Sequence, residues 1–279
     1  MAKHAGAAKR RPARTAGSSG TPPAQEGWHG WDDYADFYDW ENARTLGRRD
    51  VPFWLRMTAA VRRPIVELGC GTGRITMPLA HEGVRLIGVD RSAEMLVRAR
   101  RRVRRQRRGV RPGLVRADIR SLPLPAAAVP MVMAPYGILQ SLLSERDLRA
   151  TLRDVARVIE PDGMFVMELV ADLPSWGEYG RKVSLRGRRT PGGSHITLFE
   201  SVRQDRAQAL TIFDQEFVER RGGRSRRRAF TLHFRTLSVP QMSRRLKTAG
   251  FQIEAVLGDY DGGPWHPQAD AWIIVARRV

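Results

Sequence analysis

The sequence predicts an α/β fold: a parallel sheet wound on both faces by helices, with an antiparallel insertion, and three observations carry the prediction. Between Pro64 and Val170 short apolar runs alternate with amphipathic stretches, the order that parallel βαβ units impose. The first apolar run ends in glycines at alternate positions, Gly69, Gly71 and Gly73, just before a helical stretch. After about residue 180 the apolar period changes to two, as in half-buried antiparallel strands.

In chain order, residues 1–27 mix Ala, Gly, Ser, Pro and Arg without apolar periodicity and read as a disordered basic tail. Trp31, Tyr34, Phe37, Tyr38, Phe53, Trp54 and Met57 then fall at spacings that suit two short amphipathic helices. Strands are expected at 64–68, 84–90, 114–117, 129–134 and 164–170, with helices at 73–82, 92–108 and 145–159. Leu148, Leu152, Val155 and Ile159 form one apolar stripe, and Pro161-Asp162-Gly163 ends that helix. Pro130 is tolerated only near a strand start. Residues 195–199, 209–217 and 228–234 read as a three-strand meander, turning near Asp205 and at Gly222-Gly223. A helix at 239–248, a strand at 251–257 and a last strand at 271–276 form the closing hairpin of the sheet.

Composition sets limits. At 42% apolar and 28% charged the chain can bury a core, so disorder throughout is excluded. The single cysteine, Cys70, excludes internal disulfides and Cys-rich zinc sites. No apolar run is long enough to span a membrane, and the expectation is a cytoplasmic protein. The net charge of +19 invites a nucleic-acid reading, but residues 1–25 supply five of it and residues 91–111 nine, so the other 233 residues net only five. In the helix at 92–108, Leu96, Ala99 and Val103 face the sheet, and Arg98, Arg101, Arg102, Arg105 and Arg108 are expected to face water.

The glycine-rich turn at Gly69-Cys70-Gly71-Thr72-Gly73 lets backbone amides approach a ligand at a helix start. Alone it serves dinucleotides, phosphates and other nucleosides alike. The second strand ends in Asp90, 17 residues after Gly73, where an acid can accept both hydroxyls of a ribose. The third ends in Asp118, a further 28 residues on, where a carboxylate suits an exocyclic amine and the amide of Ile119 a ring nitrogen. Three such sites in order describe a nucleoside lying across a doubly wound sheet.

With VELGCGTGR, LIGVDRSAEML, VRADIRSLPLP, VMAPYGILQSL and RVIEPDGMFVMEL in place, the chain resembles the class I S-adenosylmethionine-dependent methyltransferases over about residues 28–180 and 239–279. The resemblance implies a Rossmann-like doubly wound sheet with a closing antiparallel hairpin, one methyltransferase domain over 28–279, and 181–237 as an inserted antiparallel β meander. It implies S-adenosylmethionine as cofactor, with Gly69, Gly71 and Gly73 facing its methionine part, Asp90 and nearby Met95 at the ribose, and Asp118 and Ile119 at the adenine. Glu67 would organise the loop or meet the amino group, and Tyr38 would contact the cofactor from an amino-terminal helical lid.

An activated sulfonium leaves the protein to align the acceptor, exclude water and remove a proton. Candidates for this work are Tyr136 and Gln140 after the fourth strand, Glu168 ending the fifth, His233 in the meander, and Asp261 and His266 in the last loop; Tyr136, His233 and Glu168 are preferred. No metal site is expected. Cys70 sits inside the glycine loop as a packing residue, which argues against C5-pyrimidine chemistry, and Ala134-Pro135-Tyr136-Gly137 lacks the signature of nucleic-acid amino-methyltransferases. The expected reaction is methyl transfer to an N or O atom of a small molecule. The alternatives are an RNA methyltransferase gripping phosphate with the arginine helix and tail, and a non-catalytic cofactor-binding scaffold.

Overall fold

The computed structural model describes residues 30–170, 177–190 and 192–279; the tail expected at 1–27 lies outside them. Two amino-terminal helices, α1 (Trp31–Asn42) and α2 (Val51–Thr58), precede the alternating unit β1 (Ile65–Leu68), α3 (Thr76–His81), β2 (Leu86–Asp90), α4 (Ala93–Arg105), β3 (Gly113–Arg116), β4 (Val129–Ala134), α5 (Glu145–Val158) and β5 (Ile159–Leu169). Strands β6 (Tyr179–Arg188), β7 (His195–Asp205), β8 (Leu210–Arg221) and β9 (Arg224–Arg235) come next, then α6 (Val239–Thr248), β10 (Phe251–Leu257) and β11 (Trp272–Arg278). The main sheet has the order β10-β11-β5-β4-β1-β2-β3. β1 pairs in parallel with β2 and β4, and β11 runs antiparallel between β5 and β10. The chain reverses its direction of travel across the sheet at β1, which opens a crevice beyond the carboxyl ends of β1, β2 and β4.

The apolar stripes seat the helices as expected. Leu148, Leu152 and Val155 of α5 and Met242 and Leu246 of α6 are buried on one face of the sheet, and Phe53, Trp54 and Leu79 of α2 and α3 on the other. α3 starts at Thr76 rather than 73, because the glycine turn continues through Ile75. β5 starts at Ile159 rather than 164: Val129 pairs with Ile159 and Met131 with Met164, so residues 160–163 loop out of the ladder.

The meander has four strands, not three. β6 pairs antiparallel with β7 as an edge strand, and its sequence, YGRKVSLRGR, lacks alternation because both its faces are largely exposed. The β8–β9 turn is the expected one, Gly222 and Gly223 having φ of 52° and 76°, both in the left-handed region a two-residue hairpin loop requires.

α1 joins the two sheets. Its Phe37 stacks on Phe217 at 4.3 Å between ring centroids, and Tyr34 packs edge-on against Phe217 and Phe230. On the opposite flank Asp32 accepts from the Ser92 hydroxyl, Asp36 pairs with Arg98, and Asp39 pairs with Arg102 at 2.7 Å. Arg98 and Arg102 therefore hold α1 to α4 instead of facing water; Arg101, Arg105 and Arg108 are exposed as expected.

Where α1 meets the meander, the Gln215 amide donates to Glu41 at 3.0 Å and to Glu200 at 2.8 Å, and Tyr34 also donates to Glu41. Burial, with the Glu200 charge adding to it against the Gln215 hydrogen bond, pushes the Glu41 carboxyl up to about 7. A carboxyl raised in the folded state favours folding below its unfolded value and loses that contribution as pH rises toward the folded one. Glu41→Gln should therefore flatten the fall in melting temperature between about pH 4.5 and pH 7, an effect on the order of 3 kcal/mol. Parallel melting curves of wild type and variant with identical slopes would contradict this.

Candidate active site

The crevice at the carboxyl ends of the central strands is a cavity of about 1060 Å³, the size of a small-molecule site. Its floor is the glycine turn. Gly69 and Gly71 have φ of 63° and 54°, a left-handed backbone that a side chain would strain. Cys70 is buried, with Sγ 2.8 Å from where a Cβ on Gly88 would lie, and burial raises its thiol well above the ordinary value. It packs the turn against β2, as its place in the sequence suggested.

Asp90, at the end of β2, lines the cavity and accepts from the Gly71 amide at 2.7 Å and the Ser92 amide at 2.8 Å. Burial raises its pKa, and those two amides work against the rise. Ser92 caps α4 by accepting from the Met95 amide, so Asp90 is left to the loop and the cavity. Glu67 is buried and accepts from the Thr76 hydroxyl. Burial lifts it to about 8, so it is neutral at pH 7 and ties the turn to α3. Asp118 receives Arg91 at 2.8 Å and Arg120 at 2.8 Å. Burial alone would raise it, but the Arg120 guanidinium and amide, with Arg91, hold it below the usual carboxylate range. Met95, Ile119 and Tyr38 complete this half of the cavity.

The other half is walled by the meander and the segment after β4. His233 lies on β9 opposite Ile212 of β8, and both line the cavity with Phe234, Leu142 and Tyr136. Desolvation and then the Arg203 charge lower the His233 pKa from its ordinary value, so it is neutral at pH 7. Tyr136 has φ of 53°, a conformation that costs a bulky residue of order 1–3 kcal/mol and recurs at functional sites. Glu168 holds it there, accepting from the Tyr136 amide at 3.0 Å and from the Tyr260 hydroxyl at 2.7 Å.

Two of the preferred site residues and three of the other candidates do not line the cavity. Gly73 turns toward Met77 and Ala99. Glu168 lies behind Tyr136, buried and pushed up to about 7 by burial, which makes it a positioning residue. Gln140 is also structural, its carbonyl oxygen accepting from the Val170 amide at 2.7 Å, and Asp261 and His266 are outside the lining. Sequence reasoning missed Arg74, whose guanidinium pairs with fully buried Asp50 at 2.7 and 2.8 Å and stands 5.3 Å over the Tyr136 ring. Its place directly after Gly73 was the available signal. Among the described residues no group of acids, histidines and cysteine could hold a metal, and no helix is long and apolar enough to cross a membrane.

Comparison with known proteins agrees with this architecture. Residues 65–163 match the model of a family described as a methyltransferase domain. The chain is 23% identical over 234 residues to a putative methyltransferase, YqeM, of Bacillus subtilis (strain 168), covering 81% of this chain and 88% of that one. Its fold is similar to an S-adenosylmethionine-dependent methyltransferase from Clostridium acetobutylicum ATCC 824, with a TM-score of 0.74 and 16% identity over 88% of this chain and 99% of that one. It is also similar to the sugar N-methyltransferase KedS8 from Streptoalloteichus sp ATCC 53650, with a TM-score of 0.69 and 16% identity over 86% and 92% of the two chains. The methyltransferase-domain match over residues 65–163 falls on the glycine turn and the strand-end acids Asp90 and Asp118, and the fold around them is similar to that of S-adenosylmethionine-dependent methyltransferases.

Proposed function

We propose that the enzyme methylates an N or O atom of a small molecule seated between Tyr136 and the β8–β9 wall. The observation that carries the reading is one continuous cavity joining the strand-end acids to His233, Ile212 and Phe234 under the α1 lid. The sugar N-methyltransferase among its fold neighbours accords with a small acceptor. In this reading the strands within 181–237 form an acceptor-side subdomain, and the one buried, free cysteine suits a cytoplasmic setting.

The donor set suits S-adenosylmethionine. Asp90 presents a carboxylate for the ribose hydroxyls, while Asp118 and the Ile119 amide offer an acceptor and a donor for adenine. Gly71 leaves room for close backbone approach, the nearest non-neighbouring atom to a Cβ placed there being 3.9 Å away, whereas the space beside Gly69 is filled by Ile138, 2.5 Å from a Cβ placed on it. Glu67 and Gly73 hold the turn in shape, and Met95 and Tyr38 flank the ligand. When bound, the cofactor supplies a methyl group on an already activated sulfonium. The chain aligns the acceptor, excludes water through α1 and the meander, and takes the acceptor proton on neutral His233. Tyr136, 37% exposed where it lines the cavity, orients the acceptor by hydrogen bonding through its phenol.

The test is to incubate the full chain with cofactor and a panel of small amines and alcohols, with total RNA as a parallel substrate. Small-molecule products matched by equal S-adenosylhomocysteine are expected. Methylation confined to RNA would overturn the reading, and cofactor binding without turnover on any substrate would favour a scaffold.

A further inference from the structure

The charge left over after residues 1–25 and 91–111 has one address. Residues 219–228 of the β8–β9 hairpin, ERRGGRSRRR, carry six arginines and one glutamate, a net five that equals the whole remainder, so the rest of the chain is neutral. In the structure this hairpin forms one wall of a second cleft, of about 1020 Å³, closed on the other side by α1 and the β6–β7 turn. It lies at the far end of the meander strands from the active-site cavity: Arg226 is seven residues along β9 from His233, about 23 Å at strand spacing.

The acids at this cleft are already engaged. Glu219 pairs with Arg189 and accepts from the Ser194 hydroxyl, and Asp36 pairs with Arg98. Arg221, Arg224 and Arg226 are exposed cleft residues with no ion pair among the described residues. Arg224, Arg226 and Arg228 alternate along β9 on the face that Phe230 presents to α1. Their spacing is about 7 Å per two-residue step, comparable with that of neighbouring phosphates on a nucleic-acid strand. Guanidinium groups pair bidentately with phosphate. Phe37 is buried under the hairpin, and among the described residues lining the cleft no exposed ring is available to stack a base.

We propose that this cleft binds a nucleic-acid strand through its phosphates, without reading its bases, as a docking surface separate from the active site. A phosphodiester chain carries a charge at every repeat whatever its sequence, whereas a peptide needs acids at alternate positions, so the arginine row favours the nucleic acid. The site stands independently of which acceptor the enzyme methylates.

The test titrates the full chain into a fluorescein-labelled 20-nucleotide oligouridylate, and separately into the matching oligothymidylate, from 50 to 200 mM salt, reading anisotropy. Replacing Arg221, Arg224 and Arg226 together by Gln should weaken binding of either strand at least tenfold at 100 mM salt. It should also flatten the salt slope by about 2, the release expected from three single-strand phosphate contacts. Arg101, Arg105 and Arg108 replaced together by Gln should change both less, because none of the three lines the cleft. S-adenosylhomocysteine affinity unchanged in both variants reports an intact fold. The proposal is overturned if the hairpin variant keeps the wild-type slope, or if a polyglutamate peptide of equal charge binds as tightly as the oligonucleotides.

Discussion

Asp90→Ala is expected to weaken S-adenosylhomocysteine binding by about 100-fold while the protein still melts cooperatively. A charged acceptor for ribose hydroxyls is worth roughly 1.5–3 kcal/mol, or about 10- to 150-fold in affinity. The upper part of that range applies because the same carboxylate holds the Gly71 and Ser92 amides. Losing it frees the glycine turn and the start of α4 together, so the cavity is less well formed before the ligand arrives. Asp90→Asn keeps one acceptor oxygen and the side-chain volume, and should fall between the two. Calorimetry decides the matter: equal affinity in wild type and Asp90→Ala would remove Asp90 from the cofactor site.

Asp90 was legible because its signal is local, an acid ending an apolar strand at a fixed distance from a glycine turn. The same holds for Asp118 and for the hairpin turn at Gly222-Gly223. What the sequence concealed lies in pairs far apart along the chain. Arg98 and Arg102 read as the solvated face of their helix, yet they meet Asp36 and Asp39 of α1 across about 60 residues and fasten α1 to α4. Arg74 and Asp50 are a similar case: each is ordinary alone, and the pair is buried behind Tyr136. β6 was missed for a different reason, since an edge strand open on both faces has no alternation to detect. Glu168 was placed at the right strand end, but whether a strand-end acid points into the cavity or behind it depends on what else binds it. Here the Tyr136 amide and the Tyr260 hydroxyl settle that.

His233→Gln is expected to lower kcat on the methyl acceptor by a factor of 100 to 10,000, the usual worth of a positioned general base, with cofactor affinity unchanged. The histidine is half-buried, lines the cavity opposite Ile212 across the strand pair, and has its pKa depressed first by desolvation and then by Arg203. It must be neutral to take a proton, so the wild-type rate should rise with pH along an acid limb below 6.5 and then level off. His233→Gln should lose that limb along with the rate, which a merely structural change would not do. Arg203→Gln supplies a second reading of the same group. Arg203 pairs with Asp214 at 3.0 Å, and Asp214 already pulls the His233 pKa upward. Removing the guanidinium takes away a like charge and leaves that carboxylate unopposed, so the acid limb should move to higher pH with the plateau rate largely kept. If His233→Gln instead retains the wild-type kcat and its pH profile, the acceptor surrenders its proton elsewhere, and the meander serves to enclose the acceptor without taking part in the chemistry.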